Sequence, residues 1–383
     1  MSEDQDGKNA RRQFFKVSGR YGIKVAMFAA TVGTTGGLAA YAAREAHAQQ
    51  AAKYRLRIGA SVYSPATERL LPTGIYDFAE HLQKITDGAV HVSIIDSARA
   101  CAEDACGTRV AQGVLDIGVS APHNLASVMQ YAIAAHWTFL WDDHTEYMNF
   151  LISDQYDKLY RDVMRKAYKV EVLFGGSEMR NLYMGLAYRG RQEIATPAQL
   201  KGSKIRITNS PMIQAFVASL GMNPIPLSWT ELLEGLKSGI VDSTETYPGA
   251  IAAFGMTGVV SQEVKLSFTP GGQLVFMNSG IHDKLPVSIR SAIREASKYA
   301  MVTRYNRMAE ARAGIAAAFS KGNIKEIKLS EAQMAEFRGI GAVERNPKLY
   351  SDLRRQLDSI AGFDVYEEMK AFQKTVSGKP YAG

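Results

Sequence analysis

"LKGSKIRITNSP", Leu200 to Pro211, is the stretch on which the fold turns. Ile205 and Ile207 alternate with Lys204, Arg206 and Thr208, the period-two pattern of a strand over 203–208. Ser210-Pro211 then reads as a helix start, with Ser at the N-cap and Pro at the first helical position. That helix is predicted to run to Leu220, and an extended "NPIP" follows. The next helix, "SWTELLEGLKSG", opens with Ser228 and Glu231 as a capping box and closes on Lys237 and Gly239. "IVDSTET", Ile240 to Thr246, is the following strand. Strands that alternate with helices at this spacing imply an α/β domain.

Arg206 sits near the end of its strand, just before a helix begins. Open α/β sheets place ligand crevices there, and the helix N-terminus adds positive potential. A planar guanidinium fork at such a point suits a carboxylate. On pattern alone the commoner outcome is a surface arginine in a solvated ion pair.

The same alternation appears upstream. "YRLRIGASV" (Tyr54 to Val62), "VHVSII" (Val90 to Ile95) and "LDIGVS" (Leu115 to Ser120) read as strands. A helix over Glu68 to Thr86, with Leu71, Ile75, Phe78, Leu82 and Ile85 on one face, separates the first two, and a short helix ending near Gly113 separates the others. This βαβαβ order predicts a parallel sheet covered by helices on both faces. The rhythm restarts with the strand "KVEVLFGG", Lys169 to Gly176. From about Pro286 the chain turns helical and amphipathic, through Ile289, Ile293, Ala296, Tyr299, Ala300, Met308 and Ala311. A length of 383 residues, 46% of them hydrophobic, fits two globular domains.

Net charge is +7, but the first 48 residues hold seven basic and four acidic side chains, so the remainder carries +4. No basic stripe with interleaved aromatics is present, which argues against nucleic acid. "RRQFFK" (Arg11 to Lys16), the weakly apolar stretch from Val25 to Ala43 and the small-residue exit Ala46-His47-Ala48 form an export signal, with cleavage expected after Ala48. The paired arginines resemble a twin-arginine signal. An uncleaved anchor is the other reading, weakened by the Thr and Gly residues from Thr31 to Gly37. The mature protein is therefore expected in the periplasm. There the only two cysteines, Cys101 and Cys106 in "CAEDAC", favour a disulfide over free thiols.

Catalytic signatures are missing: there is no G-x-S-x-G, H-E-x-x-H, P-loop or dinucleotide fingerprint. No metal or cofactor is called for. His136 and His144 bracket "WTFLWDD", which reads as a partly exposed aromatic loop.

The run from Leu200 to Thr246 resembles the signature of TRAP transporter solute-binding proteins, the DctP-like periplasmic receptors of tripartite ATP-independent transporters. The pieces are L-K-G-x-K-I-R, N-S-P, L-G-x-x-P-x-P and G-x-V-D-x-x-E, with weaker similarity in "AEHLQKITDGAVHVSI", "VAQGVLDIGVSAP" and "IHDKLPVSIRSAIREAS". The resemblance implies a bilobed periplasmic-binding-protein fold: two doubly wound α/β domains, a long helix spanning both, and a helical C-terminus. It divides the mature chain into domain I over 49–176 with 272–305 returning to it, domain II over 177–271, and C-terminal helices over 306–383. It implies a receptor and not an enzyme, which takes a small organic carboxylate and hands it to a small and a large membrane subunit. A sensing receptor, or an enzyme on a bilobed fold, are the alternatives. By the same resemblance Arg206 pairs with the carboxylate, Arg180 in "GGSEMRN" is a second arginine, and Trp229 packs on the ligand. Ser61 to Pro65 and Ser120-Ala121 form the opposite lip, and Asn209 joins the site through the N-S-P element. The family often has Glu-Asn after the V-D strand; here Glu245 is followed by Thr246 and Tyr247, which implies a different ligand shape.

Overall fold

The computed structural model of the chain describes residues 52–176 and 178–383. The export signal and its exit at Ala48 lie outside the described residues. Two sheets organise the molecule into two lobes. The first lobe carries β1 (Tyr54–Gly59), β2 (Val90–Ile95), β3 (Ile117–Ser120), β4 (Val170–Gly175) and β10 (Leu274–Asn278) in the order β2-β1-β3-β10-β4. The second carries β5 (Asn181–Gly185), β6 (Lys204–Ile207), β7 (Asn223–Pro226), β8 (Ser243–Thr246), β9 (Val260–Val264) and β11 (Lys325–Ile327) in the order β11-β9-β5-β8-β6-β7.

Both sheets are mixed, where the βαβαβ order had predicted a parallel one. β1 runs parallel to β2 and β3, but β10 is antiparallel to β3 and β4. In the second lobe β6 is parallel to β7 and β8, whereas β5 is antiparallel to β8 and β9. The reversed strands β5 and β10 are those that follow the two short crossovers between the lobes. They arrive against the direction that local crossovers set.

The helices used below are α1 (Ile75–Ile85), α2 (Cys106–Ala111), α3 (Pro122–Leu125), α4 (His144–Leu151), α5 (Pro211–Ser219), α6 (Leu232–Ser238), α7 (Pro248–Ala253), α8 (Val287–Lys321), α9 (Glu331–Gly341), α10 (Ser351–Ala361) and α11 (Val365–Val376). The helix expected from Glu68 begins only at Ile75. Gly74 is left-handed at φ 80°, and the Glu68 carboxylate accepts the Thr73 N–H at 3.1 Å, so the chain turns at Pro72-Thr73-Gly74 before α1 can start. Ile75, Phe78 and Leu82 are then fully buried, worth about 1.5–3 kcal/mol each.

Three connections join the lobes. Residues 178–180 and 268–271 of the two crossovers pair with each other: Arg180 N–H donates to Thr269 O at 2.8 Å, Phe268 N–H to Arg180 O at 3.1 Å, and Gly271 N–H to Glu178 O at 2.7 Å. The third is α8, 35 residues long and unbroken across the 305–306 boundary drawn from the resemblance. Its length is about 50 Å. Near its middle, the buried Arg304 guanidinium crosses the ribbon and donates to Gln273 Oε1 at 2.7 Å. A Cβ on Gly176 would lie 1.9 Å from Arg304 Nη1, so any larger residue there must displace the buried guanidinium. Tyr299, counted on the apolar face of this helix, is 45% exposed and stacks on His81.

The C-terminal helices pack on both lobes, α9 against α5 and α11 against α4. They and α4 account for a correction at 136–143. Trp137 and Trp141 are buried, not partly exposed: Trp137 meets Tyr350 and Tyr366 edge-on at 6.3 and 5.6 Å, while Trp141 packs on Tyr147 and Phe150 of α4 at 5.6 and 5.4 Å. Asp143 caps α4, its Oδ1 accepting the Thr145 and Glu146 N–H groups. Among the described residues no His/Cys/Asp/Glu group has metal-site geometry. Cys101 and Cys106 form a disulfide with a Cα–Cα distance of 5.1 Å, at the entry to α2.

Candidate functional site

β6 runs between β7 and β8, and Arg206 is as buried as the isoleucines around it, at 2% exposure. Its Nε donates to Leu227 O at 2.9 Å, and its guanidinium lies 5.4 Å from the Trp229 ring. Nη1 has no hydrogen-bond partner among the described residues. Burial pulls its pKa down to about 10, an effect that the nearby Glu245 carboxylate partly offsets. A cation is thus held in a dry place with one edge of its fork unused.

Arg180 comes from the inter-lobe ribbon and is also 2% exposed. It forms an ion pair with Glu245 on β8, and lies over the Tyr247 ring at 5.4 Å. Its Nε, too, is buried without a partner among the described residues. Glu245 Oε1 also accepts the Thr208 N–H at 3.3 Å, which ties the loop after β6 to β8.

Both arginines line a narrow pocket between the lobes. The second lobe adds Thr208, Trp229, Thr246, Tyr247 and Phe254; the first faces them with Val62, Tyr63, Glu103, Ala121 and Asn124. Trp229, just inside the Ser228–Glu231 capping box, meets Phe254 edge-on at 5.3 Å and makes an aromatic wall. Opposite, Glu103 Oε1 accepts from the Tyr63 hydroxyl and the Ala121 N–H, both at 2.9 Å. The Glu103 carbonyl accepts from Ser120 Oγ at 2.7 Å.

Arg206, Arg180, Trp229, Thr246 and Tyr247 are therefore brought to one cavity. Asn209 is exposed and lines the outer mouth. Ser61 and Ser120 are not on the wall. Ser61 is fully buried at φ 50°, and Ser120 spends its hydroxyl on the Glu103 carbonyl. Their neighbours Val62, Tyr63 and Ala121 supply the lip instead. Sequence reasoning missed Glu103, Asn124, Thr208 and Phe254. Glu103 had a signal: it is an acid inside the cysteine loop, on the route from the second strand to the third.

Behind the pocket a buried polar chain crosses between lobes. His123 Nδ1, on α3, lies 3.0 Å from Ser210 Oγ, so the predicted N-cap hydroxyl serves the other lobe and not its own helix. His136 Nδ1 lies 3.2 Å from His123 Nε2 and 3.1 Å from Pro270 O, and its Nε2 is 2.9 Å from the Tyr147 hydroxyl. Burial, then the charge of Arg180, push both imidazoles down, His136 to about 3. Both are neutral at pH 7. Tyr147 donating to His136 Nε2 leaves His136 Nδ1–H for Pro270 O and His123, and His123 Nδ1–H for Ser210.

Residues 63–343 match the family model of DctP, bacterial extracellular solute-binding protein, family 7. The chain belongs to this family. Among curated relatives, the 2,3-diketo-L-gulonate-binding periplasmic protein YiaO of Escherichia coli is 28% identical over 170 residues, 44% of this chain. That match spans 49% of the relative's length. Two solved TRAP periplasmic solute-binding proteins share the fold. One from Desulfovibrio salexigens, with bound orotic acid, superposes with a TM-score of 0.73 at 20% identity, over 84% of this chain and 99% of its own. One from Sulfitobacter, with bound β-D-galacturonate, gives 0.71 at 15%, over 83% and 99%.

Proposed function

We propose that the protein is the periplasmic solute receptor of a TRAP transporter, which captures a small organic acid between its lobes and delivers it to small and large membrane subunits. The observation that carries this reading is the pair of buried arginines whose Nη1 (Arg206) and Nε (Arg180) are unpartnered in an inter-lobe pocket. Buried charged donors left unused in the protein are costly, and a carboxylate would satisfy both. Arg206 anchors the carboxylate, Arg180 completes its cradle while held by Glu245, and Trp229 and Tyr247 pack on the body of the ligand. The family 7 relationship and the acids bound by structural neighbours support the class. Export through a twin-arginine signal would deliver the receptor, already folded, to the periplasm.

A thermal-shift screen of organic acids against the mature chain tests the reading. An acid at a hundred times its dissociation constant stabilises by about 2.7 kcal/mol, or about 4 °C for a chain of this size. If no carboxylate stabilises the protein, the proposed substrate class is wrong.

A further inference from the structure

The pocket has two poles of opposite sign. On the second lobe are the unpartnered nitrogens of Arg206 and Arg180. On the first lobe is Glu103, whose hydrogen bonds from Tyr63 and Ala121 both fall on Oε1. Oε2 has no hydrogen bond among the described residues, and Glu103 lines the cavity. Neither arginine closes an ion pair with Glu103, although its charge is felt at Arg206. Glu103 sits in the four-residue loop between Cys101 and Cys106, whose disulfide is buried. Between the poles stand Trp229 and Phe254, an apolar wall suited to the flat face of a carbon skeleton.

We infer that Glu103, presented by the Cys101–Cys106 loop, is a specificity-determining acceptor, and that the receptor takes hydroxylated monocarboxylates of the sugar-acid class in preference to dicarboxylates. This rests on the receptor reading above. A ligand spanning the poles puts its carboxylate on the arginines and a hydroxyl donor on Glu103 Oε2. A dicarboxylate would bring a second negative charge to Glu103 with no proton to share, and like charges across an interface are strongly disfavoured. The disulfide acts as a positioning element. It holds a short loop so that Glu103 meets Tyr63 and the Ala121 N–H, and it does not touch the ligand.

The test uses D-galacturonate and D-gluconate as hydroxylated probes and succinate as the dicarboxylate, titrated calorimetrically into the wild type, Glu103→Gln and Arg206→Met. The wild type is expected to bind at least one hydroxylated probe and to prefer it to succinate by tenfold or more. In Glu103→Gln the side chain can still accept from Tyr63 and Ala121 through Oε1, but it presents an amide donor where Oε2 stood. That variant should lose about tenfold or more for the hydroxylated probe and gain for succinate. Tighter binding of succinate by the wild type, or an unchanged preference in Glu103→Gln, overturns the inference. Loss of all binding in Arg206→Met together with an unchanged preference in Glu103→Gln overturns the selector alone and leaves the receptor reading standing. Binding of no acid in the wider screen overturns the receptor reading and this inference with it. The disulfide has a separate readout that needs no ligand. In the Cys101→Ser/Cys106→Ser double variant, hydrogen exchange at the Ala121 amide should accelerate at least tenfold while core amides of β1 stay protected. Unchanged protection at Ala121 would mean that the disulfide does not position Glu103.

Discussion

Replacing Arg206 by methionine should raise or preserve the stability of the empty receptor while destroying its binding, a pair of opposite effects that a structural arginine would not give. The fall of the Arg206 pKa to about 10 corresponds to a net destabilisation of its charge on the order of 3 kcal/mol. The sign is fixed by the direction: a cation whose folded pKa is depressed carries its penalty at every pH below about 10, and sheds it only as pH rises through that value. At pH 7 the penalty is in full force. Against it stands the Nε hydrogen bond to Leu227 O, worth about 1 kcal/mol. Methionine fills similar space without charge, and Glu245 keeps Arg180 as its partner. The net expectation for the empty protein is a change between zero and about +2 kcal/mol, up to about 3 °C in melting temperature. For the acid found by screening, loss of the anchor should cost about 2–5 kcal/mol, roughly 30- to several-thousand-fold in affinity. Calorimetric melting without ligand and isothermal titration with it read the two effects separately. A variant that melts far below the wild type yet binds the acid within twofold would show that Arg206 holds the fold and not the ligand.

Ser210→Ala removes the hydroxyl that meets His123 across the lobes, and should weaken acid binding about fivefold if that bond forms on closure, with little change in which acid is preferred; titration measures both. His136 stays neutral in the folded state down to about pH 3, while the unfolded chain takes up a proton below about 6.5. Stability from this residue is therefore full above that pH and lost as pH falls towards 3, by about 2 kcal/mol between pH 6.5 and 5. His136→Gln should flatten that slope in urea unfolding at the two pH values, and an unaltered slope would contradict the buried neutral imidazole. Gly176→Ala places a methyl group against the Arg304 guanidinium and should destabilise by about 1–3 kcal/mol, seen as a lowered urea midpoint; a neutral outcome would mean that Arg304 moves away freely.

The parts legible in sequence were those set by neighbours along the chain. Alternation placed β6, Ser210-Pro211 placed the start of α5, and the Ser228–Glu231 pair placed the turn that carries Trp229. Two cysteines five residues apart gave the disulfide. What failed depended on chain arriving from far away. Strand direction in β5 and β10 follows from lobe crossings that no local pattern encodes. Trp137 was misjudged because Tyr350 and Tyr366, which cover it, come some two hundred residues later, and Trp141 because Tyr147 and Phe150 of the following helix fold back onto it. At the site, Arg206 was named from the ordered Leu200–Thr246 motif, Arg180 from the family's upstream arginine and Tyr247 from a departure from the family pattern, and the structure brings all three to one cavity. Glu103 was passed over because an acid between cysteines looks like a solvated loop until Tyr63 and Ala121 are seen to converge on it. Ser61 and Ser120 erred by one position: in a tight turn beside a strand end, adjacent residues face opposite ways.

The unbroken α8, with Arg304 wedged over Gly176, has a mechanical consequence. Two lobes joined only by strands could swing as on a pin. Here a continuous rod is fastened to both, so any change of angle between them must flex the rod and shift the guanidinium over the ribbon beneath it. Such a joint is a flexure: it has a preferred angle, a stiffness, and a restoring force on either side. The angle at which the receptor rests is then a property of this sequence along α8, separable from the pocket, and it sets how much of the ligand's binding energy is left to hold the jaws shut.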